Sequence, residues 1–163
     1  MALKRAINVP LKRRETKDEN MGYVYAEIEI ANAGDVYNFR TGALDEKDIR
    51  KTSVTALVDS GAYDLTINEN IKKELNLVVI ERQKVMLADE STIELEVVGP
   101  VEIRFENRSA TTNAFVLQQD AEVLLGAIPM QALNILIDPR AEKLIISPAN
   151  PKLKVYKKQS RNL

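Results

Sequence analysis

An all-β domain with two short helices is the fold class this sequence predicts, and three observations point to it. The 163 residues include 14 Val, 14 Ile and 17 Leu but no Trp and only 5% aromatics. The core is therefore aliphatic, and so many β-branched apolar residues favour extended backbone. Several segments alternate apolar and polar residues with the period of two that a half-buried strand requires. A strand–turn–helix unit also occurs twice, as expected of a duplicated β-rich core. The length suits one domain that buries a core without covalent staples. That domain is read as 21–150, preceded by a basic arm at 1–20 and followed by a basic tail at 151–163.

The elements follow in order. Residues 22–31 set Glu27 and Glu29 against Ala26, Ile28 and Ile30 in strict alternation and form the first strand. Residues 32–50, with Gly34, Gly42 and many charges, read as a loop or long hairpin connection. Residues 51–59 make a second strand that closes on Ala56, Leu57 and Val58. Asn68 is placed to cap a short helix over 69–75, with Glu69 in its first turn and Asn76 ending it. Segments 84–88 and 93–98 flank the polar tip Asp89-Glu90-Ser91 as a hairpin, and 101–105 pairs with 114–117 around a polar turn at 106–108. Residues 122–125 form a buried strand ending at Gly126, and Pro129 fits the first position of a second helix that ends near Asn134. Segments 136–138 and 143–146 make a last hairpin through Pro139-Arg140.

Composition removes whole classes of chemistry. The chain has no Cys and no His. Disulfides, thiol catalysis, metal sites built on those residues and a histidine-based serine triad are all excluded. No serine has lysine three residues later, so a Ser-x-x-Lys nucleophile is absent too. Any hydrolytic acid–base work falls to carboxylates. No apolar run approaches the ~18 residues of a membrane span. The basic start Met1-Ala2-Leu3-Lys4-Arg5 lacks a following apolar core, so a cytoplasmic protein is expected. Residues 1–20 hold six Lys/Arg against three Asp/Glu, and 151–163 hold five against none. The body, 21–150, holds 12 basic and 21 acidic residues, a net charge of −9. Neither end interleaves aromatics with its cations, so solvated tails are favoured over a nucleic-acid surface. Met21 directly precedes the first clear strand and offers an alternative start.

Chemistry concentrates at Asp59-Ser60-Gly61. A carboxylate follows three apolar residues and so sits at the end of a buried strand. Gly61 permits a sharp turn and lets its amide approach the carboxylate closely, and the Ser60 hydroxyl can bond back to the turn. The second unit, Leu124-Leu125-Gly126 with its helix, repeats the first at a spacing of 65 residues between Gly61 and Gly126, and Asn134 follows Asn76 by 58. Only the first copy carries a carboxylate.

These segments together resemble the retropepsin-like aspartic proteases, in particular small bacterial single-domain members. Leu57-Val58-Asp59-Ser60-Gly61-Ala62 matches the first family motif, and Leu124-Leu125-Gly126 followed by a helix matches the second. Residues 85–89 with Ser91 are similar to the flap hairpin, and Ile137-Asp138-Pro139 with Lys143-Leu144 to the closing segment. The resemblance spans 22–147 and implies a closed pepsin/retropepsin-like barrel acting as a homodimer on a peptide or protein substrate, with no cofactor and no metal. It implies that Asp59 is catalytic from each subunit, supported by Ser60 and Gly61. Ala62, Tyr63, Asp64, Leu87, Ala88 and Asp89 would contact substrate, and Leu124, Leu125 and Gly126 would form the structural second motif. Two carboxylates about 3 Å apart hold one proton between them, so one activates water while the other protonates the peptide carbonyl.

Two positions depart from the viral members. Tyr63-Asp64 stands where they usually carry an acidic pair, and the flap tip has no glycine, since none occurs between Gly61 and Gly99. The expected activity is aspartic endopeptidase. The alternative is a catalytically silent dimeric module of the same fold that binds an extended peptide by strand addition. A terminal strand at 152–156, alternating Leu153 and Val155 with lysines, is a candidate dimer contact.

Overall fold

The computed structural model describes residues 22–148, together with the backbone of one short strand near the N-terminus. The chain is mostly β. Its strands are β1 (Arg5–Ile7), β2 (Val24–Asn32), β3 (Lys51–Val58), β4 (Leu65–Asn68), β5 (Val79–Leu87), β6 (Thr92–Phe105), β7 (Arg108–Leu117), β8 (Leu124–Leu125), β9 (Ile135–Asp138) and β10 (Lys143–Ile146). Three short helices interrupt them: α1 (Ala33–Arg40), α2 (Glu69–Glu74) and α3 (Ala127–Leu133). Among the described residues no helix is long and apolar enough to cross a membrane.

Eight strands form one sheet in the order β1-β5-β6-β2-β3-β8-β4-β7, and β9 pairs with β10 as a separate hairpin. Strand β7 also pairs with β6, so hydrogen-bonded neighbours run from β6 through β2, β3, β8, β4 and β7 back to β6. The side chains pointing inward are aliphatic, as composition demands, and Ile30, Leu65, Ile67, Ile103, Leu124 and Leu125 are fully buried. A smaller cluster of Val85, Leu95, Val97, Phe115 and Leu117 fastens the β5–β6 hairpin against β7.

Residues 93–98 and 101–105, expected as two strands, are one strand with a register shift against β7 between Val98 and Val101. Gly99 sits in that shift at φ +140, and a Cβ there would meet Asn113 Oδ1 at 2.9 Å, so both backbone and space require glycine. Helix α1 replaces the loop expected over 32–50. It buries only Asp35 and Val36, so no apolar period announces it. Polar contacts hold it instead: the Asn32 side chain accepts from the Asp35 amide, and Arg50 donates from Nη2 and Nε to the two Asp35 carboxylate oxygens at 2.7 Å each. This guanidinium, bonded to a buried carboxyl, holds Asp35 below the usual carboxylate range.

Strand β4 was not expected; four residues are too few for a pattern. The hairpin strand β5 begins at Val79 rather than 84, β7 begins at Arg108 rather than 114, and β8 is only Leu124–Leu125. Helix α3 starts at Ala127 after the N-cap Gly126, which puts Pro129 at its third position rather than its first. Asn134 ends it in the left-handed conformation, as Asn76 (φ 48) follows α2. Of the N-terminal arm, Arg5–Ile7 runs parallel to β5, with Arg5 opposite Val85 and Ile7 opposite Leu87. The remainder of the arm, the 151–163 tail and the candidate strand at 152–156 lie outside the described residues.

Candidate active site

Strand β8 decides where Asp59 stands. It lies between β3, to which it is parallel (Leu57 opposite Leu124, Val58 opposite Leu125), and β4, to which it is antiparallel. The Leu57 amide donates to the Val123 carbonyl at 2.8 Å, and the Asp59 amide donates to the Leu125 carbonyl at 3.0 Å. The main chain of Asp59 is thus anchored to a two-residue strand whose side chains are fully buried.

Beyond β3 the chain turns at once. The Ala62 amide donates to the Asp59 carbonyl at 3.1 Å, and the Gly61 amide donates to Asp59 Oδ1 at 2.9 Å. One carboxylate oxygen is therefore oriented by the backbone of its own turn. Asp59 is half-buried, while Ser60 and Gly61 are exposed. A Cβ on Gly61 would stand 3.1 Å from Asp59 Oδ1, so glycine is needed here for close approach to the carboxylate rather than for its backbone angles.

The second unit locks onto this turn. A Cβ on Gly126 would lie 2.5 Å from the Asp64 carbonyl oxygen and 2.8 Å from that of Ala62. That contact lets the first amides of α3 reach the turn: Ala127 donates to the Ala62 carbonyl at 2.8 Å and Ile128 to the Tyr63 carbonyl at 2.9 Å. Ala62 is buried, Asp64 half-buried and Tyr63 more than half exposed, with Ile128 exposed beside it. The structure thus brings Asp59, Ser60, Gly61, Ala62, Tyr63 and Asp64 together with Leu124, Leu125 and Gly126.

Leu87, Ala88 and Asp89 stand elsewhere, at the tip of the β5–β6 hairpin. The Leu87 amide donates to the Ser91 carbonyl at 2.8 Å, and Glu90 turns the corner at φ 66. Asp89 Oδ1 accepts from both the hydroxyl and the amide of Ser91, and the hydroxyl bond chiefly lowers its pKa. Leu87 is half-buried; Ala88 and Asp89 are exposed. Leu87 also lines a groove of about 860 Å³ between the hairpin and residues 116–121, whose described lining does not include Asp59. Sequence reading missed the far wall of that groove. The only signal was the alternation Ile93-Glu94-Leu95-Glu96, which identifies a strand but not what it faces.

Among the described residues no three acids gather in a way that could hold a metal ion. A single carboxylate such as Asp59 can take a proton or give one, and hydrolysis of an amide needs both acts in one turnover. The equivalent place in the second unit holds Leu125, so the partner for Asp59 is not supplied by the repeat.

No family model matches this chain, and no curated protein matches it. Among solved structures it is similar to the retroviral protease-like domain of Ddi1 from Leishmania major, at 18% identity and a TM-score of 0.45, over 60% of this chain and 81% of that one.

Proposed function

We propose that the chain is an aspartic endopeptidase that acts as a homodimer. The observation that carries this reading is the locked Asp59 turn. A carboxylate at a strand end is anchored through its amide to β8, aimed by the Gly61 amide and backed by Gly126 and α3. Paired with its copy across a twofold axis, Asp59 completes a site that one chain leaves half-built. The ionised member of the pair takes a proton from water as that water attacks the peptide carbonyl. The protonated member donates to the carbonyl oxygen as the tetrahedral intermediate forms, and the two then exchange roles as the amine departs. The hairpin of β5 and β6 covers the cleft, with Leu87, Ala88 and Asp89 at its tip and Tyr63 and Asp64 at its base.

One observation favours a second reading, a dimeric peptide-binding module without catalysis. Strand β5 accepts the extended segment Arg5–Ile7 in parallel register, which is strand addition of the kind such modules use. Digestion of a peptide library between pH 4 and 7 separates the two. Wild type cleaves, and Asp59→Asn folds but does not, because the amide can neither share the proton nor act as base. Equal cleavage by both proteins refutes the assignment to Asp59. Binding without cleavage by wild type selects the silent module.

A further inference from the structure

The groove between the β5–β6 hairpin and residues 116–121 has two chemically distinct parts. Its floor is apolar, formed by Leu87, Ile93, Leu95 and Leu117, and two of these belong to the cluster that holds the hairpin to β7. Its rim is acidic, formed by Glu69, Glu94, Glu96 and Asp120, and no Lys or Arg lines it among the described residues. Lys72 Nζ, 3.0 Å from Glu96 and 4.0 Å from Glu69, offsets part of that charge from outside the lining. Arg82 and Lys84 stand opposite Glu96 and Glu94 in the β5–β6 ladder, yet neither makes an ion pair with them. Glu94 and Asp120, one on each wall, make no ion pair among the described residues, and the 21–150 body carries its net −9 around them.

An apolar floor rewards an aliphatic side chain removed from water, and unpaired carboxylates on both walls favour cations beside it. A uniformly apolar ligand would leave the rim's attraction unused, and an acidic one would be repelled. The volume exceeds that of one side chain and suits a short stretch of extended chain.

We infer that this groove receives a peptide segment in which an aliphatic residue is flanked by Lys or Arg. The inference rests on the proposed peptide-handling function, because the groove shares Leu87 with the hairpin tip that function places over the cleft. It names the substrate class the hairpin would select.

Binding is measured on the full-length Asp59→Asn protein, so that no probe is consumed. Three fluorescent octapeptides alternate Lys with Leu, Glu with Leu, or Lys with Ser, and anisotropy is read at low and high salt. The Lys/Leu peptide is expected to bind about tenfold more tightly than either other probe, with the margin over Glu/Leu shrinking as salt rises. Reversing both walls with Glu94→Lys and Asp120→Lys is expected to invert the Lys/Glu preference. Both side chains are exposed, so the unfolding midpoint should stay near that of the parent protein. No detectable binding, equal binding of the three probes, or a preference untouched by the double reversal overturns the inference. The endopeptidase reading fails separately. Wild type that shows the predicted preference but leaves the Lys/Leu peptide intact keeps the groove and loses the protease. Wild type that cleaves peptides without regard to cations does the opposite.

Discussion

Gly126→Ala tests whether the site depends on the interlock between the two units. The added Cβ would stand 2.5 Å from the Asp64 carbonyl oxygen, 2.7 Å from the Tyr63 carbonyl carbon and 2.8 Å from the Ala62 carbonyl oxygen. All three are backbone atoms, so no side-chain rotation relieves the clash. Either α3 or the 62–64 segment must move. Overpacking of a tight interior costs typically 1–3 kcal/mol, and this contact belongs at the upper end because backbone must give. Movement also weakens the two hydrogen bonds from Ala127 and Ile128, each worth about 1 kcal/mol net. A loss of roughly 3 kcal/mol follows, or about 6–12 °C in midpoint for a domain of this size. Urea denaturation followed by circular dichroism measures it, with an unchanged m-value showing that stability alone has moved. Gly61→Ala is the contrast. Its Cβ meets only the Asp59 carboxylate, at 3.1 Å, so unfolding should shift by less than about 1 kcal/mol while peptide cleavage falls sharply. A Gly126→Ala protein within 0.5 kcal/mol of wild type would refute the interlock.

The remaining predictions concern charge, the arm and assembly. Asp35 is held below its ordinary range by Arg50, so the unfolded chain binds its proton first, and the stability it contributes is present above pH ~4 and lost as pH falls toward the folded value. Urea midpoints between pH 2.5 and 5 should therefore fall less steeply with acid in Asp35→Asn than in wild type. Removing residues 1–20 should leave the 21–150 fold and peptide cleavage intact, while amides at 85–87 lose protection from hydrogen exchange; unchanged protection there would deny the β1–β5 pairing a role. That arm should give at most weak, salt-sensitive binding to nucleic acid, checked by gel shift at two salt concentrations. Activity should fall faster than linearly on dilution, and excess Asp59→Asn subunits should poison wild type through mixed dimers; a monomer by sedimentation that still cleaves through Asp59 would overturn the dimer.

What could be read in the sequence was local. The alternation around Glu27 and Glu29 announced β2, and Asn68 announced α2, because each signal is a property of neighbouring residues. Helix α1 was hidden because its stabilising partners, Arg50 and Glu102, lie far along the chain and its own faces carry no apolar stripe. Strand β4 was hidden because a segment with Thr66 buried beside Leu65 and Ile67 shows no alternation. The Asp59 turn was visible in one tripeptide, and Gly126 was visible as its echo. Their contact was not, since nothing in a spacing of 65 residues says that the amides of α3 meet the carbonyls of 62–64. That contact also bears on assembly. It uses the second unit as a brace for the first, with Leu125 buried where a second acid would have to emerge. A unit committed to bracing cannot also present a carboxylate from the same strand end, so the missing half of an acid–base pair has to come from another copy of Asp59.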